Sequence, residues 1–252
     1  MCYNNFMFYF DTINGKNFLK SDFINGNAEC FFTTRETVIK TKEPAFENLV
    51  EENKNLICEF LQIKRKNLIS PKQTHTSHVE IAKEGKSDYP DTDGLILNNK
   101  ELAVFLNFAD CTPVILYDKK QNYGAVVHAG WRGTAGKIAA KAAEKMIKEF
   151  GSNPQELTAV IGPAISLCCY NVGDEVFEKL KAAVTDFEGL YEIRNGEKFV
   201  DLKNINTRQL KEAGIQEIDV CPYCTCCDND MFFSYRKENA TTNRHSAVLK
   251  LK

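Results

Sequence analysis

From Phe46 onward the apolar residues Leu49, Val50, Leu56, Ile57 and Phe60 recur at helical spacing. Glu51, Glu52, Lys54 and Glu59 fall on the opposite side, so the pattern predicts an amphipathic helix. Further along, apolar runs at Leu102 to Phe108, Val114 to Tyr117 and Tyr123 to His128 have strand length, and the polar stretch Asp118 to Asn122 predicts a hairpin between the last two. A second helical pattern, Ile138, Ala139, Ala142, Met146, Ile147 and Phe150, stops before Gly151, a residue suited to the left-handed turn that ends a helix. LTAVIG from Leu157 reads as a strand, 174–183 and 202–213 as helices, and the alternating HSAVLKLK from His245 as a closing strand. Strands arriving partly as hairpins and partly between helices predict an α+β fold with mixed sheets. No internal repeat, low-complexity tract or Pro/Gly/Ser-rich linker interrupts the series, so residues 1–252 read as a single domain.

Composition narrows the function classes. With 43% hydrophobic and 26% charged residues, the 252-residue chain can bury a sizeable core. Lys and Arg total 32 against 34 for Asp and Glu, a net charge of -2, which argues against a nucleic-acid partner and leaves room for a local basic pocket. No stretch approaches the ~20 apolar residues of a membrane span. The start, Met1 to Lys16, lacks the basic lead, apolar block and small-residue site of a signal peptide, so the expected location is the cytoplasm, with no membrane partner. In a reducing compartment ten cysteines read as buried thiols, metal ligands or nucleophiles. Cys2, Cys30 and Cys58 stand alone and read as small hydrophobes.

Three residues could carry chemistry together. His75 and His128 lie beside turn or glycine-rich segments at the ends of predicted strands, and Cys111 occupies the break FADCTP, where Pro113 interrupts the ladder and turns the thiol toward a cleft. Two imidazoles and one thiolate are a borderline-soft set suited to zinc, with a fourth position left for water. Read as packing alone, His75 is a surface loop residue, Cys111 a core thiol and His128 a packed strand end. The same residues also admit a thiol nucleophile, Cys111 deprotonated by His128, which has no use for His75. His78 reads as an exposed loop residue that could take the place of His75.

The segment HAGWRGTAG pairs glycines with a following helix start, a combination suited to an anion, and Arg132 reinforces it. The alternative is a structural turn with a solvated arginine. CPYCTCC holds Cys221-x-x-Cys224 and Cys224-x-x-Cys227, a possible structural zinc clip completed by His245 or by Cys168 and Cys169.

KQTH at Lys72 to His75, TDGLI at Thr92 to Ile96, FADCTPV at Phe108 to Val114, AVVHAGWRGT at Ala125 to Thr134, AVIGPAIS at Ala159 to Ser166 and FFSYR at Phe232 to Arg236 follow in order. This series resembles the motifs of the bacterial laccase-domain family, also called polyphenol oxidase or YfiH-like and regarded as zinc-dependent purine nucleoside phosphorylases. The resemblance covers most of the chain from about Phe32 onward. It implies a four-layer αββα sandwich related in shape to the catalytic domain of the cytotoxic necrotizing factor toxins, which are thiol deamidases. By motif it implies one zinc per chain, held by His75, Cys111 and His128. Two departures stand out: Phe32 to Arg35 resembles the family's FTTR, but the glycine pair that usually follows is replaced by Glu36, Thr37 and Val38, and the cysteine cluster carries Cys221 and Cys226 as extras.

The expected function is phosphorolysis of adenosine, inosine and methylthioadenosine to a free base and ribose 1-phosphate, with adenosine deamination as a second activity. Purine nucleosides and inorganic phosphate are the expected partners. Arg132, with Arg35 and Arg236, is expected to bind phosphate or ribose, and Asp110 to transfer a proton beside Cys111. A metal-independent cysteine hydrolase or deamidase using Cys111 and His128 is the first alternative. A copper-dependent polyphenol oxidase is the second, opposed by a total of four histidines, too few for a multicopper cluster built mainly from imidazole. A zinc-stabilised binding module without activity is the third.

Overall fold

A computed structural model describes residues 8–252; Cys2 lies outside the described residues. The strands Phe8–Ile13 (β1), Lys16–Ser21 (β2) and Ala28–Thr33 (β3) lead to the helix Glu47–Leu61 (α1). Leu68–Ile69 (β4), Val79–Ile81 (β5), Gly94–Leu97 (β6), Ala103–Phe108 (β7), Thr112–Asp118 (β8) and Tyr123–Ala129 (β9) follow. Next come Trp131–Ala135 (α2), Ile138–Phe150 (α3), Leu157–Ile161 (β10), Asn171–Val172 (β11) and Asp174–Lys181 (α4). Tyr191–Arg194 (β12), Glu197–Val200 (β13), Leu202–Glu212 (α5), Glu217–Val220 (β14) and His245–Leu251 (β15) complete the order.

One sheet runs β1-β2-β3-β15-β7-β4 and a second runs β14-β10-β8-β9-β6-β5. Both are mixed, because β4 pairs parallel with β7, β10 with β14 and β5 with β6 while the other pairs are antiparallel. The uniform apolar runs of β7, β8, β9 and β10 follow from burial on both faces. Side chains alternate across a strand, so Val104, Leu106, Ile115, Tyr117, Val126 and Val160 join one cluster that both sheets share. Ala103 and Phe105 join Ile57, Cys58 and Leu61 of α1 in a separate cluster. Val114, Leu116, Ala125, Val127 and Ile161 join Ile138, Ala139, Ala142, Ala143 and Met146 of α3 and Leu210 of α5. At Gly162 the sheets come so close that a Cβ would stand 2.2 Å from the Phe32 ring, which only glycine permits.

Two features depart from the sequence expectations. Pro113 lies inside β8 instead of breaking the ladder. It faces His128 across the β8–β9 pair, but the His128 N–H donates to Asp93 O at 2.7 Å and Gly162 N–H donates to Pro113 O at 2.9 Å. The missing proline N–H therefore falls on the side where β10 has already ended, and no β8–β9 bond is lost. The hairpins β1–β2 and β12–β13 have no counterpart in the periodicity reading. They turn on Asn14-Gly15 and Asn195-Gly196, all four residues with positive φ, the pairing that suits a tight two-residue hairpin.

A candidate metal centre in a basic cavity

Cys111 sits in the short crossing from β7 in one sheet to β8 in the other, one step past the Thr112–Ala129 pair. His128 continues the face of β9 that Val126 turns toward the shared core, and its ring lies 5.3 Å from that of Phe108 at the end of β7. His75 is carried by the segment between β4 and β5 and has φ 64, a left-handed conformation uncommon outside glycine though better tolerated by histidine than by most residues. The ligating atoms of His75, Cys111 and His128 lie within 4.8 Å of one another, with His75 exposed, Cys111 half-buried and His128 buried. His78 stands apart, exposed, its Nδ1 3.2 Å from Asp91 O.

Asp93, at the entrance to β6, organises the two imidazoles. Its carboxylate accepts the backbone N–H groups of Thr74, His75 and Thr76 at 3.2, 3.1 and 2.7 Å, together with the Thr76 hydroxyl at 2.9 Å. Oδ1 is also 2.8 Å from His128 Nδ1, which turns Nε2 toward the other members of the trio. Gln73 fastens the same segment to β7, donating to Asn107 O and accepting from Asn107 N at 2.9 Å each. Sequence reasoning missed Asp93, although it stands in the TDGLI segment as an acid directly before an apolar strand.

The charges are strongly coupled. Burial pushes the Cys111 thiol up, but His128 and His75 more than offset that and bring it down to about 6. Burial alone would lower His128, yet Cys111 and Asp93 raise it to about 9. Burial likewise works against ionised Asp93, and His128 with the Thr76 groups holds it at about 2. Gly130 completes the enclosure, since a Cβ there would stand 3.0 Å from Cys111 Sγ and 3.1 Å from His75 Cδ2.

The trio opens into a cavity of about 710 Å³, within the usual size of small-molecule sites. Arg132 and Arg236 line it, joined by Lys40, Lys42 and Arg244, which the sequence reading did not single out. Lys40 and Arg244 meet through an isolated antiparallel bridge. Burial, followed by Arg244, Lys42 and Lys54, holds the Lys40 ammonium below its ordinary range. Among the described residues none of these five cations is paired with a carboxylate. Crowded, unneutralised positive charge of this kind favours an anionic ligand. Trp131, Tyr170 and Tyr235 supply aromatic walls, and Arg132 lies 4.2 Å over the Trp131 ring.

Of the other expected site residues, Asp110 lines this cavity and Arg35 does not. Arg35 is not in this cavity: it donates to Asn229 O at 2.6 Å and Glu238 Oε2 at 2.9 Å, stacks on Phe233, and lines a separate hollow of about 290 Å³. Asp110, with φ 83, accepts from Thr225 Oγ1 and from Arg236 N, both at 2.7 Å. The glycine-loop expectation also changes. Gly130 alone precedes α2, and the longer α3 starts only after Lys137, outside the cavity lining, so the positive charge of the cavity comes from cationic side chains and not from a long helix end. After Arg35, where a glycine pair is absent, Thr37 N–H closes a turn onto Thr34 O and Glu36 accepts from Asn17 N at 2.8 Å.

No helix among the described residues is long and apolar enough to cross a membrane. A relative from Bacillus subtilis named purine nucleoside phosphorylase YlmD is 29% identical, covering 81% of this chain and 77% of its own. A second, from an unidentified prokaryote and named adenosine deaminase RL5, is 31% identical over 71% of this chain and 72% of its own. The crystal structure of the Bacillus licheniformis hypothetical protein YfiH is 31% identical and superposes with a TM-score of 0.88 over 96% of this chain and 99% of that one. Residues 39–252 match the family model described as multi-copper polyphenol oxidoreductase laccase, and with these relatives the match establishes that the chain belongs to this laccase-like, YfiH family.

Proposed function

We propose that this chain is a zinc-dependent purine nucleoside phosphorylase acting on adenosine, inosine or methylthioadenosine with phosphate, and deaminating adenosine as a second activity. The observation that carries the reading is the meeting of His75, Cys111 and His128 in a cavity walled by five unpaired cations. One thiolate and two imidazoles suit zinc and leave a coordination position toward the cavity. The space left by the missing Cβ of Gly130 supports the fit. A multicopper centre built mainly from imidazole would need more than the four histidines of the chain. When bound, zinc supplies a Lewis acid beside the substrate.

The protein's own side chains then take distinct roles. Arg132 and Arg236, with Lys40, Lys42 and Arg244, hold the phosphate oxygens and orient one of them toward C1′ of the ribose. As that C–O bond forms, the bond from C1′ to the base nitrogen breaks, and its electron pair leaves with the base, which takes up a proton. Trp131, Tyr170 and Tyr235 present flat faces to the purine. Asp93 keeps His128 in orientation through Nδ1. Both oxygens of Asp110 are engaged with Thr225 and Arg236, which supports a positioning role over proton transfer. Arg35 ties down Asn229 and Glu238, at either side of the Tyr235 and Arg236 that line the cavity. We read the chain as one laccase-like unit in which helices cover the outer faces of two stacked sheets, an αββα order. Its relation in shape to the cytotoxic necrotizing factor domain rests on the motif resemblance alone.

Pure protein incubated with adenosine and phosphate should yield adenine and ribose 1-phosphate, identified by mass. Inosine as the sole product would make deamination the main activity, and the absence of all three products would overturn the reading. The closeness of Cys111 and His128, their Sγ and ring nitrogen within 4.8 Å, favours a second reading, a metal-independent cysteine hydrolase: each draws the other toward its charged form, the thiol down to about 6 and the imidazole up to about 9, a thiolate–imidazolium pair at neutral pH. A covalent adduct on Cys111 trapped during turnover would establish it.

A further inference from the structure

Six cysteines crowd the two segments 168–169 and 221–227, and four of them converge. The Sγ atoms of Cys168, Cys169, Cys224 and Cys227 lie within 4.8 Å of one another. Cys169 and Cys168 approach Cys227 at 3.4 and 3.6 Å. Zinc–thiolate bonds of about 2.3 Å in a tetrahedron set neighbouring sulfurs about 3.8 Å apart, so a small outward shift of the side chains admits one ion at the centre. Cys221 is buried in the core that the two sheets share, and Cys226 stands outside the group. His245, the other expected partner of a clip here, is enclosed by the rings of Phe108, Phe232 and Phe233, and neither of its ring nitrogens has a hydrogen-bond partner.

Backbone hydrogen bonds hold the segments that carry the four thiols together. Cys224 forms an isolated parallel bridge with Ala164, and Thr225 N–H donates to Ala164 O at 3.1 Å, which draws the two segments together. Asp228 closes the Cys224-x-x-Cys227 turn: its carboxylate accepts from Cys224 N and its own N–H donates to Cys224 O, both at 2.7 Å. Ser166 N–H donates to Cys224 Sγ at 3.4 Å, an orientation that favours a thiolate over a thiol. The guanidinium groups of Arg194 and Arg236 reach the carbonyls of Cys168 and Cys169 at 3.1 and 3.4 Å. Arg194 is neutralised by its ion pair with Glu192, so it is Arg236 that places positive charge beside a centre that would be anionic, one zinc with four thiolates.

We propose that Cys168, Cys169, Cys224 and Cys227 form a second, structural zinc site that clips the 168–169 segment, next to the cavity-lining Tyr170, to the 224–227 turn. On binding, the thiols release their protons to solvent and all four coordination positions are filled, leaving none for a substrate. The clip bears on the first site through short paths. Tyr170 follows Cys169 directly and lines the cavity, while Thr225, between Cys224 and Cys227, holds Asp110 beside Cys111.

Zinc content of the whole protein, purified without chelator, tests both sites at once. About two zinc ions per chain are expected in the parent, about one in Cys111→Ala and about one in the double variant Cys224→Ser, Cys227→Ser. A parent with one zinc that disappears in Cys111→Ala overturns the second site and leaves the first. Zinc retained in Cys111→Ala but lost entirely in the double variant supports the clip and removes the metal from the proposed active site. If the double variant does not fold, alkylation of the parent decides. Exposed Cys168 and Cys227 should resist maleimide until a strong chelator is added, then become labelled. Labelling that is fast without chelator, or a disulfide-linked peptide joining these segments, overturns the proposal.

Discussion

At the His75–Cys111–His128 centre three donors arrive from three separate parts of the chain, and the space beside them is a cavity lined by unpaired cations. At the cysteine clip four donors arrive from two turns, and the surrounding polar groups are consumed by hydrogen bonds to the turns themselves. A zinc ion at the first site would keep one net positive charge and an open position, whereas one held by the four thiolates of the second would form a closed centre with two net negative charges. Donor number and local charge therefore separate a site able to bind an anionic substrate from one able only to hold the fold. Cysteine serves both, and what surrounds it decides which.

The largest effect that would break this contrast is expected for His75→Ala. Nucleoside turnover should fall by more than ~100-fold together with zinc at the first site, since losing only an outer-shell partner of a metal ligand already costs about 10–100-fold. Metal content and activity measured on the same preparation check this. Wild-type turnover in the variant would transfer the chemistry to the Cys111–His128 pair. Asp93→Asn should lower zinc affinity at the first site by about 10–100-fold through loss of the carboxylate that orients His128, while the clip keeps its metal. Competition with a chromophoric chelator measures it, and equal weakening of both sites would show that Asp93 supports the whole fold instead.

Away from both groups of donors, His245 is buried among the rings of Phe108, Phe232 and Phe233. Burial, then Arg244 and Arg35, hold it down at about 3, against an ordinary value of 6.5. The unfolded chain thus binds a proton that the folded one refuses, so stability is lost as pH falls from 6.5 toward 3. Between pH 7 and pH 5 the loss is about 2 kcal/mol. Denaturant unfolding of His245→Phe, which keeps a ring among rings, should lack this component. An unchanged pH slope would assign the acid sensitivity to the metal thiolates.

The smallest expected effect is the most specific to the open site. Arg132→Ala should reduce phosphorolysis by about 10-fold, at the low end of the value of a hydrogen bond to a charged group because four other cations remain. Adenosine deamination, which uses no bound phosphate, should change far less. Equal losses in the two assays would place Arg132 on the nucleoside.

Local patterns made much of the molecule legible. The helical spacing from Leu49 to Phe60 and from Ile138 to Phe150, and the apolar runs around Cys111, correspond to α1, α3, β7, β8 and β9, because period and burial are written residue by residue. The hairpins at Asn14-Gly15 and Asn195-Gly196 carried a readable turn signal, but their strands are partly exposed and lack a strong apolar alternation. Pro113 was misleading because whether a missing N–H matters depends on which neighbour it faces, and that is set by where β10 ends.

The sequence by itself determined the donor types, since the chain holds four histidines and its motifs single out His75, Cys111 and His128. Only the tertiary structure decided their company. Asp93 reaches His75 and His128 because β6 pairs with β9 and the 74–76 segment folds over its carboxylate. Lys40 meets Arg244 across more than two hundred residues of chain, and Arg35, equally basic, is drawn off to Glu238. Four of six clustered cysteines converge while Cys221 is taken by the core. Such groupings depend on long-range packing, where a small shift in register or crossing changes the partner, so residue type and spacing specify the chemistry available without specifying where it is assembled.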